Sequence, residues 1–172
     1  MTLLGVGNVL QKDDGIGVYA AMYLSRNYTF TPDISIVNGG VEGINLYNVA
    51  ETADTLLIFD TVLIDDTPGS IYLIPANELQ SRGLNSGGAH EIGILQVLDM
   101  FELQGKRKPD AYVLGIVPQH ITFDIALSDT LKAAFESYIA AALRFVQERG
   151  IKALKRDTTV SLQALIDNVK RL

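Results

Sequence analysis

Residues 1–17, MTLLGVGNVLQKDDGIG, pass from an apolar run through a loop of glycine and aspartate into the start of a helical repeat. Met1–Val6 has the length and composition of a buried strand. From Asp14 to about Tyr28, the residues Ile16, Val18, Ala21, Met22 and Leu24 recur at the spacing of a helix facing a sheet. The same alternation continues along the chain. Ile34–Val37 is a second predicted strand, Val41–Thr52 a second helix and Thr55–Asp60 (TLLIFD) a third strand. Pro68-Gly69 signals a turn, so Ser70–Ile74 is predicted as a short edge strand. Gly87-Gly88 breaks the chain before a predicted helix from about His90 to Phe101. Ala111–Val117 (AYVLGIV) has the continuous apolarity of a central strand, and Asp129–Glu148 is a long amphipathic helix stopped by Gly150. Strands alternating with helices give the α/β class: three layers, a mainly parallel twisted sheet with helices on both faces, and one short antiparallel edge strand.

The chain has 172 residues, enough for one domain with an appendage. We assign residues 1–150 to a single α/β domain and 151–172 to a C-terminal extension. In the extension a charged segment, Lys152–Asp157, precedes a helical stripe of Leu162, Leu165, Ile166 and Val169, expected to dock on the domain. Lys and Arg number 14 against 20 Asp and Glu, a net charge of −6. This balance argues against binding nucleic acid, which depends on basic surface. Cysteine is absent, which excludes disulfides, thiolate metal sites and a cysteine nucleophile. No apolar run reaches the ~18 residues of a membrane span, and the first residues lack the pattern of a secretory signal, so the expectation is a cytoplasmic protein without membrane attachment.

Sheets of this class carry their ligand sites beyond the carboxyl ends of the strands. Gly5 and Gly7, after the first strand, suggest a nucleotide loop, but a dinucleotide fingerprint needs a third glycine where this chain has Leu10. The acid expected at the end of strand two is Asn38, and no Walker-type Gly-Lys-Ser/Thr occurs, so no nucleotide is expected. The loop offers Asp13-Asp14-Gly15 at the predicted helix start instead. One aspartate suffices to cap a helix, so Asp13 is assigned to capping and Asp14 to function. Asp60 closes TLLIFD on the ligand-bearing edge, where a carboxylate beside a buried run is costly unless paired or metal-bound; a turn-forming role is the alternative. The two histidines are His90, near a helix start where the dipole favours neutral imidazole, and His120, past the strand AYVLGIV. Two carboxylates and an imidazole on loops at one sheet edge make a metal-binding face.

In this order, GVGNVLQKDDGIG, the NGG at 38–40, LLIFD ending at Asp60, GGAHEIGI and LGIVPQ resemble the hydrogenase maturation endopeptidases, which act on the large subunit of nickel–iron hydrogenases. The resemblance runs from residue 2 to about residue 150 and leaves out the last twenty or so. It implies that Asp14, Asp60 and His90 contact nickel carried by the large-subunit precursor, so that the metal is part of the substrate and no permanently bound cofactor is expected. It further implies that a C-terminal extension of the precursor is cleaved once nickel has been inserted. Nickel would serve as a recognition handle and as a Lewis acid toward the scissile carbonyl or a water. Many relatives carry an acid where this chain has Asn38, and an amide cannot act as a base; Asn38 is expected to orient a substrate group, with Gly39 and Gly40 permitting close approach of the substrate backbone or forming a tight turn. The alternatives are a non-catalytic nickel-site chaperone that docks on the precursor without cutting it, and a hydrolase that owns its metal.

Overall fold

The computed structural model describes residues 1–41, 46–81 and 93–171. Its strands are β1 (Thr2–Val6), β2 (Tyr28–Thr31), β3 (Ser35–Gly40), β4 (Thr55–Thr61), β5 (Ile71–Pro75), β6 (Asp110–Ile116) and β7 (Lys152–Lys155). Its helices are α1 (Ile16–Asn27), α2 (Tyr47–Thr52), α3 (Ala76–Ser81), α4 (Ile94–Leu103), α5 (Asp129–Glu148) and α6 (Leu162–Val169). Among these helices none is long and apolar enough to cross a membrane.

Five strands form the main sheet in the order β3-β1-β4-β6-β5, with β5 antiparallel at one edge and the remaining pairs parallel. Side-chain alternation along each inner strand splits the core in two. Leu3, Leu57, Phe59, Leu114 and Ile116 point toward α1, α5 and α6. Leu4, Leu56, Ile58 and Val113 point toward α2, α3 and α4. The predicted class, a sheet between two helical layers with an antiparallel edge strand, is the observed one. The strand order reverses direction between β1 and β4. The chain leaves β1 toward β3 on one side, while β4 leads on toward β6 on the other. The carboxyl ends of β1 and β4 therefore flank a topological switch point, where sheets of this type form a crevice.

α5 runs over the predicted residues because Ser128 accepts the Leu131 N–H and fixes its start, while Gly150, at φ +77°, follows its end. Part of the charged segment after residue 150 is a strand, which its composition does not announce. Lys152–Lys155 pairs antiparallel with Tyr28–Thr31 in a second, two-stranded sheet. The side chain of Asn27, fully buried at the end of α1, accepts the Val160 N–H at 2.6 Å and donates to the Val160 carbonyl at 2.9 Å. Its own carbonyl accepts the Arg156 N–H at 2.8 Å. This bracket delivers α6, whose Leu165 and Ile166 are buried in the same core as α1.

Candidate functional site

Two glycines set the geometry at the switch point. A Cβ on Gly5 would lie 2.3 Å from the Gly17 carbonyl oxygen, and one on Gly17 would lie 2.2 Å from that of Phe59 and 2.3 Å from that of Val6. The first turn of α1 thus rests directly on the main chain of β1 and β4, an approach only hydrogen allows. Gly7, at φ +123°, turns the chain away from β1, and a Cβ there would meet the Asp14 carbonyl oxygen at 1.9 Å. After residues 8–11, Lys12–Gly15 form a 3-10 turn leading into α1. The helix therefore begins at Ile16, two residues later than its periodicity predicts.

Asp14 lies in that turn, 5% exposed. One of its oxygens accepts the Asn8 N–H at 2.8 Å and the other the Thr61 hydroxyl at 3.2 Å. Asp60, 4% exposed, ends β4, and its carboxylate accepts the Thr61 N–H at 2.7 Å. Thr61 thus donates to both acids, its side chain to Asp14 and its backbone to Asp60. The Tyr138 hydroxyl, reaching up from α5, donates to the Leu114 carbonyl at 2.6 Å and lies 3.4 Å from that of Asp60. Burial, and then the negative charge of Asp60, push this phenol well above its usual range and keep it protonated.

Asn38, Gly39 and Gly40 end β3 at the same edge. The Gly7 N–H donates to the Gly40 carbonyl at 3.0 Å, joining the two loops, and a register shift opposite Gly5 and Val6 accommodates the turn. Asn38 is exposed, and Gly39 is buried against Leu4 and Leu46. His90 lies outside the described residues. Among the described residues no group of three His, Asp or Glu side chains forms a metal cluster.

The capping role expected of Asp13 is corrected. The N-cap of α1 is Gly15, with no side-chain hydrogen bond. The Asp13 carboxylate, fully buried, reaches across the chain to accept the N–H groups of Gln119 at 2.9 Å, His120 at 2.8 Å and Ser128 at 2.7 Å. It pins the loop after β6, and the start of α5, to the turn that carries Asp14. The same loop is held by Lys12 N–H to the Asp124 carbonyl at 2.8 Å and Asp124 N–H to that of Leu10 at 2.9 Å. His120 is therefore at the site edge, anchored through its backbone with an exposed ring. Sequence reading missed Thr61 and Asn8 as supports of Asp14. The available signals were a hydroxyl directly after a strand-end acid and an Asn after a glycine turn.

Carboxylates are hard oxygen donors. Each carboxylate oxygen accepts about two hydrogen bonds, so Asp14 keeps lone pairs for a cation after binding Asn8 and Thr61. Comparison with known proteins places the chain in a family. The HycI family model, described as hydrogenase maturation protease, matches residues 18–145. The hydrogenase expression/formation protein HoxM of Azotobacter vinelandii is 30% identical over 157 residues, covering 90% of this chain and 76% of HoxM. The hydrogenase 2 maturation protease of Escherichia coli is 27% identical, covering 90% and 95%. The solved structure of the hydrogenase maturating endopeptidase HybD from E. coli superposes with a TM-score of 0.81 at 28% identity, covering 90% of this chain and 96% of HybD.

Proposed function

This chain belongs to the hydrogenase maturation protease family, and from that premise we propose that it is the cytoplasmic endopeptidase that removes the C-terminal extension of a nickel–iron hydrogenase large-subunit precursor after nickel insertion. The observation that carries the reading is the meeting of Asp14 and Asp60, both buried, at the switch point of the sheet and joined through Thr61. A buried carboxylate is costly unless its charge is used or compensated, and here two of them converge where a ligand would enter.

In this reading the nickel is part of the substrate. Asp14, Asp60 and His90 complete a coordination sphere whose other ligands, thiolates, belong to the precursor; this chain has no cysteine to offer. Hard carboxylates and a borderline imidazole suit that ion. Nickel bound this way marks a precursor as ready, and an unloaded precursor lacks the charge that the two acids recognise. Asn38 presents its amide to a substrate polar group, and Gly39 and Gly40 let the extended substrate backbone come close. Held by the Asn8 N–H and the Thr61 hydroxyl, the Asp14 carboxylate is in place before the substrate arrives, so less ordering entropy is lost on docking.

Incubating the protein with nickel-loaded and nickel-free precursor, and weighing the products by mass spectrometry, tests the proposal. Truncation of the loaded form alone supports it. Truncation of both forms overturns the role of nickel as handle, and a stable complex without truncation favours a chaperone. Metal that co-purifies stoichiometrically with the protein alone favours a hydrolase owning its ion. Asp14→Asn and His90→Ala should each cut processing by about 100-fold or more, the upper end of what even outer-shell changes cost, with the fold retained. Wild-type processing in both variants removes these residues from the mechanism.

A further inference from the structure

We infer that Thr61 is a positioning residue of the site, its hydroxyl locking the loop-borne carboxylate of Asp14 to the sheet that carries Asp60. The inference rests on the proposed function, in which Asp14 contacts the ion of the precursor.

The two acids differ in how firmly their backbones are held. Asp60 lies within the parallel ladder, opposite Gly115, and Thr61 forms the last pair of that ladder, opposite Ile116. Asp14 lies in the same short turn as Lys12, whose φ of +51° is the single left-handed conformation adopted by a residue other than glycine among the described residues. Distances between loop-borne groups are less well fixed than those between strand-borne ones. Alternation along β4 turns Leu57, Phe59 and Thr61 to the α1 face. The site of Thr61 is completely buried. A valine would serve packing there as well as a threonine does, and a buried hydroxyl is unfavourable without a partner. The partner is Asp14, at 3.2 Å.

The Asn8 N–H holds one oxygen of Asp14 and the Thr61 hydroxyl the other, so the remaining lone pairs point in fixed directions. The carboxylate is thereby oriented as a ligand. Because Asp60 is held by the backbone of Thr61, replacing the side chain leaves that second bond intact. A substitution at position 61 therefore separates alignment of Asp14 from support of Asp60.

Thr61→Val keeps shape and removes the hydroxyl; Thr61→Ser keeps the hydroxyl and removes a methyl group. Processing of nickel-loaded precursor is measured for both, with circular dichroism melts to follow the fold. Outer-shell groups typically contribute 10–100-fold to metal affinity or activity. Thr61→Val should lower kcat/KM by about that factor, mainly through a higher KM, and Thr61→Ser should return to within about 3-fold of wild type. Wild-type kcat/KM in Thr61→Val, or an equal loss in Thr61→Ser, overturns the inference. If Thr61→Val is unfolded at the assay temperature, Thr61→Ala against Thr61→Ser gives the same comparison, equality again overturning it. Asp14→Asn is the control. Full processing by Asp14→Asn breaks the proposed function itself, whereas inactive Asp14→Asn beside active Thr61→Val removes only the role of the hydroxyl.

Discussion

Asp13→Ala would leave the N–H groups of Gln119, His120 and Ser128 without their acceptor. The three bonds, at 2.9, 2.8 and 2.7 Å, all end on one fully buried carboxylate. Hydrogen bonds to charged groups contribute ~1.5–3 kcal/mol each, but an exposed donor freed of its partner regains water. Gln119 and His120 are exposed, so each should lose only ~1 kcal/mol. The Ser128 N–H is buried at the start of α5, and orphaning it should cost ~2–3 kcal/mol. The sum is ~4–5 kcal/mol, and at ~2–4 °C per kcal/mol for a chain of this size the Tm should fall by ~8–20 °C. Asp13→Asn keeps one acceptor oxygen for Gln119 and His120 but turns an amide NH₂ toward Ser128, so it should cost ~2–3 kcal/mol. Far-UV circular dichroism melts of the three proteins measure the effect. A drop of less than ~3 °C in Asp13→Ala would refute the assignment of Asp13 as a tertiary clasp.

Gly17→Ala should destabilise by ~3 kcal/mol or more, above the usual cost of overpacking, because the added methyl meets main-chain oxygens at 2.2 and 2.3 Å. A wild-type denaturant midpoint for this variant would mean that α1 is not seated on β1 and β4 as described. The buried phenols set an alkaline limit: burial pushes Tyr19 up to about 12 and Tyr138 also upward. Both raised groups hold their protons longer in the folded state than in the unfolded one. Their stabilisation is complete below pH 10 and falls as the pH rises above it, that of Tyr19 being lost between 10 and about 12. Chemical denaturation across that window should show the decline, and Tyr19→Phe should flatten it; an unchanged slope in that variant would show that Tyr19 does not contribute.

How much was readable in advance follows from where the determining contacts lie. TLLIFD and AYVLGIV announce themselves because parallel strands covered on both faces have no polar side to break the run. α5 was readable to the residue because its signals, Ser128 and Gly150, are local. β2 and β7 escaped because YTFT and KALK are four residues each and only half apolar, and each is a strand only through the other, more than a hundred positions away. Asp13 was assigned the wrong partner for the same reason: its acceptor role is set by amides 106 to 115 positions distant. α3, in ANELQS, is too short to show a period. At the site, Asp14 and Asp60 were visible as surplus or costly acids, and the switch point places both at one edge. Thr61 was not, since a threonine ending a strand is unremarkable until its hydroxyl is seen to meet an acid 47 positions earlier.

The seating of α1 has a mechanical consequence. Its front end has no side chain between it and the strands, and its rear end is stapled through Asn27 to residues 156–160. A rod clamped at both ends neither slides nor rolls, so the turn that carries Asp14 starts from a fixed mount and whatever freedom is left lies in the turn itself. The frame behind the two acids is thus stiff, and the adjustment it still allows is that of side chains on the turn, above all the carboxylate that Thr61 holds.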